Sequence, residues 1–108
     1  MKFGIVCYDI STNRFRTEFS KILILYGKRI QYSVFEFNLP NNNYKEMISD
    51  IRLFHKNYKK YCVSKLYNDT NYSIRVYLIC ENCLAKSIVI ENKSNEEGDI
   101  LIVWKNPI

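Results

Sequence analysis

Apolar positions along this chain switch between a period near two and a period near 3.6, and the switches mark its elements. Residues 2–9, Lys-Phe-Gly-Ile-Val-Cys-Tyr-Asp, are a short, apolar, β-prone run that stops at the turn cluster Ser11-Thr12-Asn13. They read as a buried strand. The cluster supplies N-cap candidates for a following helix. Phe15, Phe19, Ile22, Leu23 and Tyr26 recur at helical spacing, so this helix has one apolar face and runs to about Tyr26. Gly27 is placed to end it. Residues 29–37 return to alternation, with Ile30, Tyr32 and Val34 on one face and Gln31, Ser33, Phe35 and Phe37 on the other. Pro40 and Asn41-Asn42-Asn43 break the pattern. A second helix over residues 44–58 carries the stripe Tyr44, Met47, Ile48, Ile51, Phe54, His55 and Tyr58. Its place on that stripe makes His55 a core histidine rather than a catalyst. Lys56, Lys59, Lys60 and Lys65 crowd the end of this helix, where cations suit the helix dipole.

The remaining pattern is shorter-ranged. Residues 66–71 read as a loop and residues 72–79 as a third strand, Ile74, Val76 and Leu78 alternating with Arg75, Tyr77 and Ile79. A helical turn at residues 81–86, a strand at 87–91, a polar turn at 92–99 and an apolar strand at 100–104 follow. The order is read as βαββαβ plus one further strand, although the pattern itself shows a single strand, at 29–37, between the two helices. That is an α+β, ferredoxin-like domain over residues 1–108, an antiparallel sheet with both helices on one face. The other face then needs a partner, and Phe35 and Phe37 project onto it if Ile30, Tyr32 and Val34 face the helices. The spare strand at 100–104 falls at a dimer or partner edge. Both features point to a symmetric homodimer formed by edge pairing or strand exchange. A monomer with a self-paired tail is the alternative.

Composition narrows the function classes. A hydrophobic share of 47% over 108 residues is that of one folded domain rather than a disordered chain. The net charge of +5 is uneven: residues 1–65 carry 12 Lys/Arg against 5 Asp/Glu, and residues 66–108 carry 4 against 6. A basic N-terminal two-thirds suits a polyanionic partner. Aromatic content of 15% supplies rings for a core, an interface or a nucleic-acid surface. Cys7 lies in an apolar strand and reads as a small core residue. Cys80-Glu81-Asn82-Cys83 is a lone C-x-x-C, two ligands short of a tetrahedral zinc in a chain whose one histidine is His55, and reads as neither a zinc nor a redox centre. Residues 1–3 run straight into a strand pattern, so no signal peptide is expected, and no apolar run has the length of a membrane span. The expectation is a cytoplasmic protein without membrane contact.

Asp9 is the most prominent polar residue. It ends an apolar strand at a strand-to-helix turn, where a rigid backbone holds a carboxylate that is still exposed. Such an aspartate often just caps the turn. Mg²⁺ usually keeps several waters and takes one or two carboxylates plus substrate phosphate, and one chain offers no second carboxylate at matching strand-end spacing. Two copies of Asp9 across a two-fold axis would supply the pair. Arg14 and Arg16 flank the start of the first helix and Arg29 opens the second strand, and the guanidinium fork suits bidentate phosphate contacts. For each arginine a solvated surface role is the competing reading.

Tyr8-Asp9-Ile10-Ser11, then Arg14 and Arg16, then Arg29-Ile30-Gln31-Tyr32-Ser33-Val34-Phe35-Glu36, resemble the small CRISPR-associated endonuclease family of the spacer-acquisition machinery. The run from Arg75 through Cys80 to Leu84 is similar to that family's third strand and turn. The resemblance covers nearly the whole chain, and the loop at 62–71 departs from it in being longer and less regular. It implies a ferredoxin-like homodimer that hydrolyses phosphodiester bonds of RNA or DNA with Mg²⁺ or Mn²⁺. On that match Asp9 is the metal ligand and catalytic residue, contributed by each subunit. Tyr8, Arg16, Arg29 and Phe35 match supporting positions, with Arg14 as a further nucleic-acid contact. The resemblance also implies a dimer that binds protospacer DNA and bridges two integrase dimers, a role that needs no cleavage. A toxin-type ribonuclease of similar fold and a catalytically silent scaffold are the alternatives.

Overall fold

The strand β1 (Lys2–Asp9) lies between two others, and the rest of the chain is laid around it. The computed structural model describes residues 1–64 and 72–90. Along the chain follow α1 (Asn13–Leu23), β2 (Gly27–Gln31), β3 (Val34–Leu39), α2 (Asn41–Ser64), β4 (Ser73–Ile79) and α3 (Glu81–Ala85). The sheet order is β2-β3-β1-β4, and every neighbouring pair is antiparallel. Two β-α-β crossovers therefore interleave: β1-α1-β2 is split by β3, and β3-α2-β4 is split by β1. This is the expected ferredoxin-like α+β architecture.

Register decides which residues share a face. Val6 lies opposite Phe35 on β3 and Val76 on β4, and Gly4 lies opposite Phe37. Val6, Tyr8, Phe35 and Phe37 are all buried beneath the helices. From α1 they meet Phe15, Phe19 and Leu23, and from α2 Met47, Ile51, Phe54 and Tyr58, each set at helical spacing. Ring packing dominates this core. The Phe19 ring stands edge-on to Tyr8 at 4.9 Å and lies 4.7 Å from Phe54, and Phe15 lies 4.7 Å from Tyr58. Such pairs add about 0.5–1.5 kcal/mol each beyond the area they bury. Thr12 occupies the N-cap of α1, but its hydroxyl bonds the Tyr58 hydroxyl at 2.8 Å and so ties the helices together instead of capping.

The structure corrects several expectations. Residues 29–37 are not one strand: a turn at Tyr32-Ser33 divides them into β2 and β3, with a register shift between Arg29 and Gln31. Pairing with β1 sets Phe35 opposite Val6 and Phe37 opposite Gly4, so both phenylalanines face the helices, while Tyr32 is exposed. They do not project onto the open face, which instead carries Phe3, Ile5, Cys7, Asp9, Arg75 and Tyr77. Helix α1 stops at Leu23, and Gly27 begins β2 rather than ending the helix. A side chain at Gly27 would collide with the Glu36 carbonyl oxygen, so glycine serves strand approach there. Helix α2 starts earlier and ends later than 44–58, because the Pro40 carbonyl accepts the Tyr44 amide at 2.9 Å and Asn41-Asn42-Asn43 form the first turn. Proline just before a helix pre-sets its entry without needing an amide hydrogen. His55 is exposed, not core, with its Nδ1 at 2.8 Å from the Tyr72 hydroxyl. Residues 87–90 are not a strand. Residues 65–71 and the strand expected at 100–104 lie outside the described residues. None of the described helices is long and apolar enough to cross a membrane.

Tyr26, between α1 and β2, donates its hydroxyl to Asp50 Oδ2 on α2 at 2.5 Å. That bond to a carboxylate holds the phenol's pKa up at about 12 against an ordinary 10.0. The folded state thus favours the neutral phenol, and this contribution is fully present below pH 10 and lost as pH rises towards 12. Urea unfolding followed between pH 8 and pH 12 should show Tyr26→Phe losing less stability across pH 10–12 than the parent protein. Parallel losses would contradict the assignment.

Candidate functional site

Alternation along β1 places two adjacent side chains on opposite sides of the sheet at its C-terminal end. Tyr8 turns into the helix-covered face and is 5% exposed. Asp9 turns to the open face, opposite Ser73 of β4, and is exposed. Its carboxylate makes no hydrogen bond or ion pair with the described residues, so it does not cap the turn. Backbone pairing to β4 fixes its position, and the carboxylate is left available.

Around Tyr8 the structure gathers most of the residues singled out from the sequence. The Tyr8 amide donates to the Ser33 carbonyl at 3.1 Å, which ties the strand end to the β2–β3 turn. Arg16, on the first turn of α1, donates from Nη1 to the Ile10 carbonyl at 2.7 Å and from Nη2 to Asn13 Oδ1. Its guanidinium lies 5.6 Å from the centre of the Tyr32 ring. Arg29 lies 5.4 Å from the centre of the Phe35 ring, its cross-strand neighbour. Two cations thus rest on aromatic faces beside the end of β1, a geometry that holds a guanidinium in place without neutralising it. The Tyr8 hydroxyl is buried without a hydrogen-bond partner among the described residues. Burial pushes its pKa up, and Arg29 opposes that rise by its charge and by approaching the phenol oxygen as a donor, short of the geometry of an ordinary hydrogen bond.

Arg14 stands apart from this group. It pairs with Glu18 at 3.4 Å on the exposed face of α1, and its guanidinium lies 5.1 Å from the Phe15 ring and 6.0 Å from that of Tyr61. Tyr32 and Asn13 join the group although the sequence pattern assigned them no site role. The signal for Asn13 was local, one helical turn before Arg16, whereas Tyr32 carried none, because its place in a turn is not marked in the sequence. On the open face Arg75 adds a further cation, two residues along β4 from the partner of Asp9, with its Nη1 at 3.2 Å from the Tyr77 hydroxyl. The described residues contain no group of three or more His, Cys, Asp or Glu side chains able to enclose a metal ion.

The model of the family described as CRISPR associated protein Cas2 matches residues 1–87. The chain belongs to the Cas2 family. A Methanospirillum hungatei protein named CRISPR-associated endoribonuclease Cas2 2 is 28% identical over 98 residues, spanning 91% of this chain and 96% of that protein. Among solved structures, a chain of a partial Cas6-RT-Cas1–Cas2 complex superposes with a TM-score of 0.59 at 24% identity, covering 83% of this chain and 91% of that one. Streptococcus pyogenes Cas2 superposes with a TM-score of 0.52 at 21% identity, covering 82% and 99%. The family match spans both Asp9 and the arginine–aromatic group, and the structural likeness carries the Cas2 fold.

The lone Tyr8 hydroxyl gives a direct check on this geometry. The hydroxyl has no hydrogen bond of ordinary geometry to lose, only the approach of Arg29, so Tyr8→Phe should change stability by no more than about 1 kcal/mol. A loss above about 1 kcal/mol in urea unfolding would show that the hydroxyl is satisfied.

Proposed function

We propose that this protein is a nucleic-acid-binding Cas2 homodimer of the CRISPR adaptation machinery that hydrolyses phosphodiester bonds with a divalent metal ion, using Asp9 from each subunit. The observation that carries the reading is the Asp9 carboxylate, exposed, unpaired among the described residues and fixed by strand pairing next to Tyr8, around which an arginine–aromatic group gathers. An aspartate that only stabilised its turn would be bonded to it. The naming of relatives as endoribonucleases supports RNA as a substrate.

Asp9 is the residue that would hold Mg²⁺ or Mn²⁺. A hard oxygen donor suits either ion, and waters, substrate phosphate and the second Asp9 would complete its ligands. The ion supplies positive charge that acidifies water and offsets charge on the phosphate oxygens. The chain's own residues do the positioning. Arg16 and Arg29 offer planar cations to the backbone phosphates, held by Tyr32 and Phe35 respectively. The hydrogen bond from Arg16 to the Ile10 carbonyl couples that cation to the residue next to Asp9, so phosphate and carboxylate are set relative to one another. The likeness to a chain of a Cas1–Cas2 complex supports a second use of the same basic surface: binding DNA while bridging integrase dimers.

Cleavage of a single-stranded RNA and of a double-stranded DNA by the purified protein, with Mg²⁺ or Mn²⁺ and with chelator, tests the reading. Asp9→Ala should remain dimeric by light scattering and lose activity by about a hundredfold or more, the scale of removing one preorganised charge-stabilising group. Arg29→Ala should weaken binding to both nucleic acids and lower the salt dependence of binding by about one ion. Metal-dependent cleavage that survives in Asp9→Ala would overturn the assignment.

A further inference from the structure

The C-x-x-C pair has no part in the nucleic-acid reading, yet the structure builds it into a defined turn. Cys80 directly follows the last residue of β4 and is the N-cap of α3. Its Sγ accepts a hydrogen bond from the Cys83 amide at 3.3 Å. The turn is closed by further bonds: the Leu84 amide to the Cys80 carbonyl at 2.9 Å, and the Ser87 hydroxyl to the Cys83 carbonyl at 2.9 Å. Leu84 anchors it, buried against the far end of the open face in a crevice lined by Phe3, Ile5 and Ile79. Leu84 is buried, whereas Cys80 and Cys83 are both exposed, with no disulfide between them.

We propose that Cys80 and Cys83 form a thiol–disulfide exchange site, with Cys80 as the attacking sulfur and Cys83 as the resolving one, whose co-reactant is a low-molecular-weight disulfide. Three observations support these roles. The amide-to-sulfur bond stabilises a thiolate on Cys80 and not on Cys83, and it is a direct bond that owes nothing to the short helix's dipole. That bond and the neighbouring Cys83 thiol hold the Cys80 pKa below that of a free cysteine, while proximity to Cys80 pushes the Cys83 thiol up. Spacing of i and i+3 across the first turn also puts the Cys83 thiol next to the Cys80 sulfur, close enough for the two side chains to interact.

The reaction balances in two steps. The Cys80 thiolate attacks one sulfur of the co-reactant, forming a mixed disulfide and releasing one thiolate. Cys83 then attacks the Cys80 sulfur, forming the Cys80–Cys83 bond and releasing the second thiolate, which takes up the Cys83 proton. The dithiol loses two electrons, and the co-reactant is reduced to two thiols. The site would thereby read the cellular thiol poise at the junction between β4 and the turn that covers the open face.

The test uses the intact protein with chelator, exposed to oxidised glutathione, quenched with acid and mapped by mass spectrometry of its peptides. The expected result is a loss of two hydrogens located to residues 80–83, with Cys7 and Cys62 still free. Cys83→Ser should stall as a glutathione adduct on Cys80, and Cys80→Ser should react about tenfold more slowly or less. Serine is itself a good N-cap, so this variant keeps the turn. A glutathione adduct that persists in the parent protein would overturn the proposal. So would Cys80 reacting no faster than in the urea-unfolded chain, or the Cys83→Ser adduct falling elsewhere.

Discussion

Antiparallel pairing of β1 to a strand on each side is the constraint on which the rest of this structure depends. Once Val6 and Tyr8 are committed to the helix-covered face, the period of two leaves Asp9 on the open face. A slip of one residue would bury the carboxylate and expose Tyr8, which makes the register costly to change. The aromatic core enforces it. Phe19 fits edge-on to Tyr8, and Phe35 lies on the neighbouring strand. The position of a single acidic side chain is thus set by packing on the opposite side of the sheet.

The same packing organises the cations. Arg16 is aimed by the Ile10 carbonyl and rests on Tyr32, and Arg29 rests on its cross-strand neighbour Phe35. Among the described residues neither forms an ion pair with a carboxylate, unlike Arg14 with Glu18. The positive charge beside the end of β1 is therefore available to an external anion, in keeping with the basic bias of the N-terminal two-thirds of the chain. The two sides of the sheet divide the work: one holds the carboxylate, and the other fixes the strand and backs the arginines.

The fold was legible wherever one face of an element dominated. β1, α1, β4 and the α3 turn fall close to the bounds expected from periodicity. The hairpin of β2 and β3 was not visible as such, because its turn is Tyr32-Ser33 and lacks the Gly, Asn or Pro that usually marks one. Alternation across that turn reads as a continuous strand, and the face that Phe35 and Phe37 take is set by their pairing opposite Val6 and Gly4 of β1, a long-range register that periodicity does not carry. The early start of α2 was hidden because three asparagines in a row look like a loop, while Pro40 sets the entry. At the site, residue types and order pointed to Asp9, Arg14, Arg16 and Arg29, the family resemblance added Tyr8 and Phe35 as supporting positions, and the gathering of Tyr8, Arg16, Arg29 and Phe35 at one strand end depends on tertiary contacts. Arg14 sits two residues from Arg16 but about 200° away around the helix, which is why it joins a different group.

The proposed chemistry requires that Asp9 from two chains hold one divalent metal ion. Titration of the protein with Mn²⁺, followed by electron paramagnetic resonance of the free ion, measures this without reference to cleavage. The expected result is one tightly held Mn²⁺ per two chains, abolished in Asp9→Asn with the dimer intact. Equal Mn²⁺ binding by the parent protein and Asp9→Asn would contradict it.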